Sequence, residues 1–389
     1  MIKRMNIAII SDNPNAHAIG GGDYAVYKYA EALAKRGHAV DVYGTFYHDF
    51  MSTMCSVAGL NIHLRGGCTS RLRGAGKVNR IWDILYTYVY LLPRLFFSNN
   101  RPDFIFGYQR YSSIKAYKLG RLLNVPVVHF AFEPPTHMLK MLGNKFERVF
   151  KGRLRREWDS VRDAYCSSAA LLPLSASVGK DVAEWTGRSV NKPIYVGLDR
   201  PRDLNKANEF THILYIGRLD YAKNVHDLID AISVLKCPPS LIIAGGGYDA
   251  SELKNRARSV GVNAIFPGVV SDVEKWRLIS TCLFLVFPSS VEGFGMPPGE
   301  ALMCMRPAIC SDIPVLREVY EDYVYYFKLH DTKSLAGIMQ HVLDHPIEAN
   351  ERAVRGNSWI MKRYSWDLSA SRIEESISLL TEYDKSKST

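Results

Sequence analysis

Short apolar runs rich in β-branched and aromatic residues alternate with helical stretches along this chain. That alternation limits the fold more than any other feature. In the first half the runs are MNIAIIS, HAVDVYG, LNIHLRG, DFIFGYQ, VPVVHFAF and AALLPLSA. The first is followed by residues 23–37, where Ala25, Val26, Tyr29, Ala30 and Leu33 recur at helical spacing and Gly37 can close the helix. Strands apolar along their whole length, alternating with amphipathic helices, predict a parallel sheet covered on both faces. The pattern restarts at Thr211 with THILYIGRL, PSLIIAGGG, NAIFPGV, CLFLVFPSS, RPAICSD and YVYYFKL. A chain of 389 residues is also too long for one ordinary core. The expected architecture is therefore α/β, with two Rossmann-like doubly wound domains over residues 1–200 and 201–365. Residues 200–210 are polar and aperiodic and serve as the linker. Periodicity leaves open which domain the last helical segment, 366–389, packs on, a return to the first domain included. Ligands of such sheets bind at the carboxyl ends of the strands, which in a two-domain chain predicts a site in a central cleft.

Other classes are set aside on composition. The seven cysteines are odd in number, scattered and free of any Cys-x-x-Cys pair, which argues against a disulfide framework or a zinc site and predicts a reducing, cytoplasmic setting. The most apolar stretch, residues 81–97, is broken by Asp83, Pro93 and Arg94, so no membrane-spanning helix is expected. His341 and His345 stand four apart, as metal ligands can, but no third ligand accompanies them, and no metal or cofactor is expected. The net charge of +10 is uneven: residues 1–200 hold 28 Lys and Arg against 15 Asp and Glu, and the remainder holds 21 against 24. The first half is thus suited to an anionic partner. Nucleic acid is not favoured, because no stacking-rich motif accompanies the charge.

The candidate site residues lie at predicted strand ends. Gly21 and Gly22 close a glycine triplet before the first helix, where backbone can approach an anion. An ordinary loop explains them as well. Arg218 and Lys223, in YIGRLDYAKN, combine a planar fork with a point charge, a pairing suited to a diphosphate. Gly217 and Gly246 sit in strand-end turns, and Val270 follows the strand in NAIFPGV. His129 is placed at the end of VPVVHF, with Glu133 on the loop beyond. The most informative stretch is EGFGMPPGEAL, in which Glu292 and Glu300 flank Gly293, Phe294, Gly295 and Met296. Glu300 has a bland explanation, since an acid near a helix start suits the dipole. Glu292, on a glycine-rich strand-end loop, has none.

Together these stretches resemble glycosyltransferase family 4, retaining enzymes of the GT-B fold. GRLDYAKN is similar to that family's G-R-L-x-x-x-K stretch, and EGFGMPPGEAL to its pair of glutamates eight apart. The resemblance implies that Glu300 binds the ribose of a nucleotide-sugar donor, Glu292 the transferred sugar, and Arg218 and Lys223 the departing diphosphate. Gly217, Gly246 and backbone from Gly293 to Met296 would line the donor, Gly21 and Gly22 would lie against its phosphates from the other domain, and Val270 would frame the base. His129 would contact the donor sugar. PSSVEGFGMPPGEA and SDIPVLREV look like bacterial polysaccharide mannosyltransferases, which implies GDP-mannose ahead of UDP-sugars. Asn224, and the pair Met305 and Arg306, depart from the pattern by standing where glycine is common, and Phe130 follows His129 in place of a small or acidic residue.

The implied reaction moves a hexosyl group, without a metal, to a glycan or polyprenyl-diphosphate-linked acceptor in polysaccharide or glycolipid biosynthesis. Residues 142–165 and 71–90 mix basic with apolar residues, a pattern that fits either an anionic membrane surface or a solvated helix face. Two other readings remain. A sugar-nucleotide epimerase would need more acids and histidines than Glu133 and His137 offer, and a non-catalytic nucleotide-sugar-binding protein would not need both glutamates, Arg218 and Lys223.

Overall fold

The computed structural model describes residues 4–11, 21–46, 57–66, 85–97, 101–143, 153–199 and 209–387. Two compact units divide the chain, residues 1–195 with 366–389 and residues 196–365. Each predicted run contains a strand. The first unit holds β1 (Asn6–Ser11), β2 (Ala39–Phe46), β3 (Leu60–Gly66), β4 (Phe104–Tyr108), β5 (Val127–Ala131) and β6 (Ala170–Pro173). They pair in the order β3-β2-β1-β4-β5-β6, all parallel. The chain winds outward from β1 in one direction and from β4 in the other, so the order reverses between β1 and β4. Of the central strands, β4 and β5 are buried at every position and β1 at all but Asn6, which is why they read as unbroken apolar runs.

The helix Trp366–Lys387 belongs to this first unit. Its Trp366 ring meets Tyr24 and Tyr29 edge to face at 5.9 and 5.4 Å. Beyond that apolar contact, the buried Glu374 accepts two hydrogen bonds from Arg36, at 2.9 and 2.7 Å, and lies 2.9 Å from His38 Nε2. His38 Nδ1 accepts from the Met5 N–H, so the other ring nitrogen carries the proton toward Glu374. Burial alone would raise the Glu374 pKa; Arg36 and His38 outweigh it and hold the carboxyl below its ordinary value.

The second unit holds β7 (His212–Ile216), β8 (Ser240–Ala244), β9 (Ala264–Gly268), β10 (Cys282–Phe287), β11 (Ala308–Ser311) and β12 (Tyr325–Phe327). Their order is β12-β11-β10-β7-β8-β9, again all parallel. The reversal falls between β7 and β10, where a doubly wound sheet opens a crevice at its carboxyl edge. Its core is built from Ile213, Tyr215, Ile243, Phe284 and Val286 on the strands and Leu228, Ile232 and Met339 on covering helices. The basic stretches at 71–84 and 144–152 and the linker residues 200–208 lie outside the described residues. No helix among the described residues is long and apolar enough to cross a membrane.

Candidate active site

The carboxyl-edge loops of β7, β8, β9 and β10 are laced together by main-chain hydrogen bonds. Ser290 N–H donates to the Ala222 carbonyl, Leu219 N–H to Gly246, and Gly245 N–H to Gly268, at 2.9, 2.9 and 2.7 Å. Tyr215 closes the β7 loop from below, its hydroxyl donating to the Arg218 carbonyl at 2.6 Å. Asn224 sits in the left-handed region at φ 46°, where glycine or asparagine is easiest to place. Its side chain donates to the Pro288 carbonyl at 3.0 Å. The departure from glycine at 224 therefore adds a tie between the β7 and β10 loops. Met305, another departure from the pattern, is also left-handed, at φ 55°.

This lacing brings Lys223 to Glu292. Their side chains, 11% and 12% exposed, meet at 2.5 Å, at the reversal point between β7 and β10. Arg218 lies on the same loop, its side chain half exposed, with Asp220 3.5 Å from Nε. Glu300 does not serve its own helix start; it is the fifth residue of helix Met296–Met303 and its carboxylate meets Lys275 Nζ at 2.9 Å. Burial works against the charge on Lys275, and Glu300, with Asp272 and Asp199, outweighs it and raises the pKa. Lys275 carried no sequence signal: it is one lysine on helix Asp272–Thr281 and belongs to no motif.

The helix start at Met296 offers less than its position suggests. Gly295 enters it at φ 80°. Pro297 and Pro298 lack an N–H, and Gly299 N–H is taken by the Tyr320 hydroxyl at 3.0 Å. Met296 alone is left, of the first four helical residues, to present an N–H to an anion. The Phe294 side chain is buried against Tyr364 and Tyr320, at 5.1 and 6.4 Å, so only its backbone can face a ligand. Val270 is half-buried beyond β9, next to Ser271, which caps the following helix by accepting from Glu274 N–H at 3.2 Å.

In the first unit, Gly21 and Gly22 open helix Gly21–Lys35, and a side chain on Gly22 would overlap the Tyr108 hydroxyl at the end of β4. Gly22 thus packs at the reversal point of its own sheet. His129 corrects the expectation made for it. The strand runs on to Ala131, so His129 is inside β5 and not at its end. Its ring is fully buried, 5.2 Å from Tyr165, and presents nothing to a ligand. Burial pushes its pKa from 6.5 down to about 3. The unfolded imidazole takes up a proton as pH falls through 6.5 and the folded one does not until about 3. Stability contributed by neutral His129 is thus complete above pH 6.5 and is lost as pH falls toward 3, by about 1.4 kcal/mol per pH unit. Urea midpoints at pH 7.5 and 5 should converge on each other in His129→Phe relative to the parent protein; an unchanged difference would contradict the assignment.

Among the described residues, no group of three or more His, Cys, Asp or Glu is placed to hold a metal ion. The rings of His341 and His345 lie 4.6 Å apart, tilted by 46°, and His341 Nε2 lies 3.6 Å from Glu348.

Residues 199–358 match the family Glycosyl transferases group 1. The chain carries a glycosyltransferase group 1 domain. That domain spans the whole second sheet and every site residue on it. The chain is 28% identical over 283 residues to a glycogen synthase of Mycobacterium tuberculosis, covering 68% of this chain and 66% of that protein's own length. It is 24% identical over 412 residues to the alpha-1,3/1,6-mannosyltransferase ALG2 of Dictyostelium discoideum, covering 94% and 96%. Sucrose-phosphate synthase from Thermosynechococcus elongatus superimposes with a TM-score of 0.81 at 18% identity, over 98% of this chain and all of that one. The fold around the glycosyltransferase domain is GT-B.

Proposed function

We propose that this protein is a retaining hexosyltransferase that takes a nucleotide sugar, GDP-mannose ahead of a UDP-sugar, and transfers the sugar to a hydroxyl of a glycan or polyprenyl-diphosphate-linked acceptor. The observation that carries the reading is the Lys223–Glu292 pair at the β7/β10 reversal, with Arg218 on the same loop. Two cations at one strand-end crevice suit a diphosphate, and a carboxylate already held by one of them suits the sugar hydroxyls beside it. Glu300, held by Lys275, faces the ribose in this reading. The second unit binds the donor and the first the acceptor. The match to ALG2 over nearly the whole chain supports a mannosyl donor.

The chemistry follows from charge. The bond between the anomeric carbon and the diphosphate oxygen breaks as the acceptor oxygen bonds to the same face of that carbon. The acceptor proton passes to the departing diphosphate. Negative charge therefore grows where Arg218 and Lys223 stand, and the nearly buried Lys223, fixed beforehand by Glu292, stabilises it together with the half-exposed Arg218. With a lipid-linked acceptor the protein works at the cytoplasmic face of a membrane.

Thermal shift with GDP, UDP and ADP tests the donor site. GDP at about 100 times its Kd should stabilise by about 2.7 kcal/mol. A shift from UDP alone would replace the donor base, and no shift from any of the three would overturn the reading. With GDP-mannose and an isolated acceptor, NMR of the product should show the donor's anomeric configuration kept; inversion would remove the retaining mechanism.

A further inference from the structure

Residues 85–97 form a helix that is apolar on both faces. A π-helical turn, Tyr86–Leu91, runs into Leu92–Phe96. One face, Tyr86, Leu91 and Leu95, is buried in a core cluster with Ile105, Ala116 and Leu119. The opposite face should be polar in a surface helix. It is Leu85, Tyr88, Val89, Phe96 and Phe97 instead, with Val89 66% and Phe97 78% exposed. In the first unit the described large apolar residues that stand exposed number seven, and these five are among them, within thirteen residues of chain. Phe96 and Phe97 lie edge to face at 5.0 Å, and Arg94 stacks over Tyr90 at 4.5 Å, between the two apolar ends.

The geometry points to this face as the surface that docks the protein on an anionic lipid bilayer. Aliphatic and aromatic side chains with a cation among them suit the boundary between headgroups and acyl chains. Around them in the sequence, residues 71–101 carry Arg71, Arg73, Lys77, Arg80, Arg94 and Arg101 against the single acid Asp83. That excess complements the negative potential of an anionic leaflet. A second copy is disfavoured, because a two-fold contact through the same face would bring Arg94 up to its own copy. The inference rests on the reading of the acceptor as lipid-linked, and places the membrane contact on one helix face.

Flotation of the full-length protein with vesicles tests it, using phosphatidylcholine alone and phosphatidylcholine mixed with phosphatidylglycerol. The wild type floats with the mixed vesicles and retains part of that binding at high salt, because apolar insertion is not screened. Val89→Asp/Phe97→Asp lowers the bound fraction about tenfold. Its folding is checked by an unchanged thermal shift with GDP. If the double variant floats as the wild type does, the face is wrong and membrane contact through the basic stretches stands. If the wild type never floats, or forms a dimer that the same substitutions dissociate, the docking proposal is overturned while a preserved nucleotide shift leaves the transferase reading intact.

Discussion

Lys223→Ala should lower kcat by about 10²–10³-fold with donor saturating, the usual loss when one fixed group facing a developing negative charge is removed. The Lys223 ammonium is nearly buried and held at 2.5 Å by Glu292, so its position is set before a donor arrives. The same contact complicates the experiment, because the alanine variant leaves Glu292 buried without its cation, at a cost of about 3 kcal/mol. A second variant separates the roles. Lys223→Met/Glu292→Gln removes both charges and should recover most of that stability. If Lys223 acts on the diphosphate, the double variant remains as inactive as the single one. If it only neutralises Glu292, the double variant is as active as Glu292→Gln alone, the baseline for loss of the carboxylate beside the sugar. A rate near that of the wild type in Lys223→Ala itself would remove the residue from the site.

The strands were legible because a parallel sheet covered on both faces demands runs apolar at every position, and β4, β5 and β7 meet that demand without exception. Where such a run ends is not legible, and this misplaced His129: nothing in VPVVHFAF distinguishes the last strand residue from the third. Placement of the final helix was equally out of reach. Its apolar residues fit any groove, and the contacts of Glu374 with Arg36 and His38 span 338 and 336 residues of sequence. The two glutamates of EGFGMPPGEAL stood out through the backbone punctuation between them. Lys223 stood out as well, but not as the partner of Glu292, 69 residues away, and Lys275, 25 residues from Glu300, did not stand out at all; only the sheet order brings these elements alongside. The glycines and prolines in the same stretch suggest a helix start that brings its N–H groups to a diphosphate, but Pro297 and Pro298 carry none, so the start is poor in N–H donors. The role of Tyr320 in taking another of them could not be seen, since a buried tyrosine on helix Pro314–Tyr320 reads as core.

Gly245→Ala should destabilise the second unit by about 3 kcal/mol or more, while Gly246→Ala should leave its stability nearly unchanged. The AGGG run invites one explanation for all three glycines, a backbone cleared for a ligand. Their surroundings differ. Gly245 has φ 140°, and a Cβ there would overlap the Gly217 carbonyl oxygen. A Cβ on Gly247 would overlap the Leu219 carbonyl. Both obstacles are backbone of the β7 loop, and that backbone is already hydrogen-bonded to the β8 loop through Leu219 and Gly246. Neither can yield without pulling Arg218 and Lys223 out of place. Gly246 would meet only the Val269 side-chain tip, at 3.1 Å, which can rotate away. Two of the three glycines therefore serve the packing of adjacent strand-end loops, and the middle one alone is free to face a donor. Urea unfolding and nucleotide titration of the two single variants separate these roles: loss of stability in Gly245→Ala, and weakened GDP binding at normal stability in Gly246→Ala. A Gly245→Ala protein as stable as the wild type would show that the two loops do not depend on this close approach.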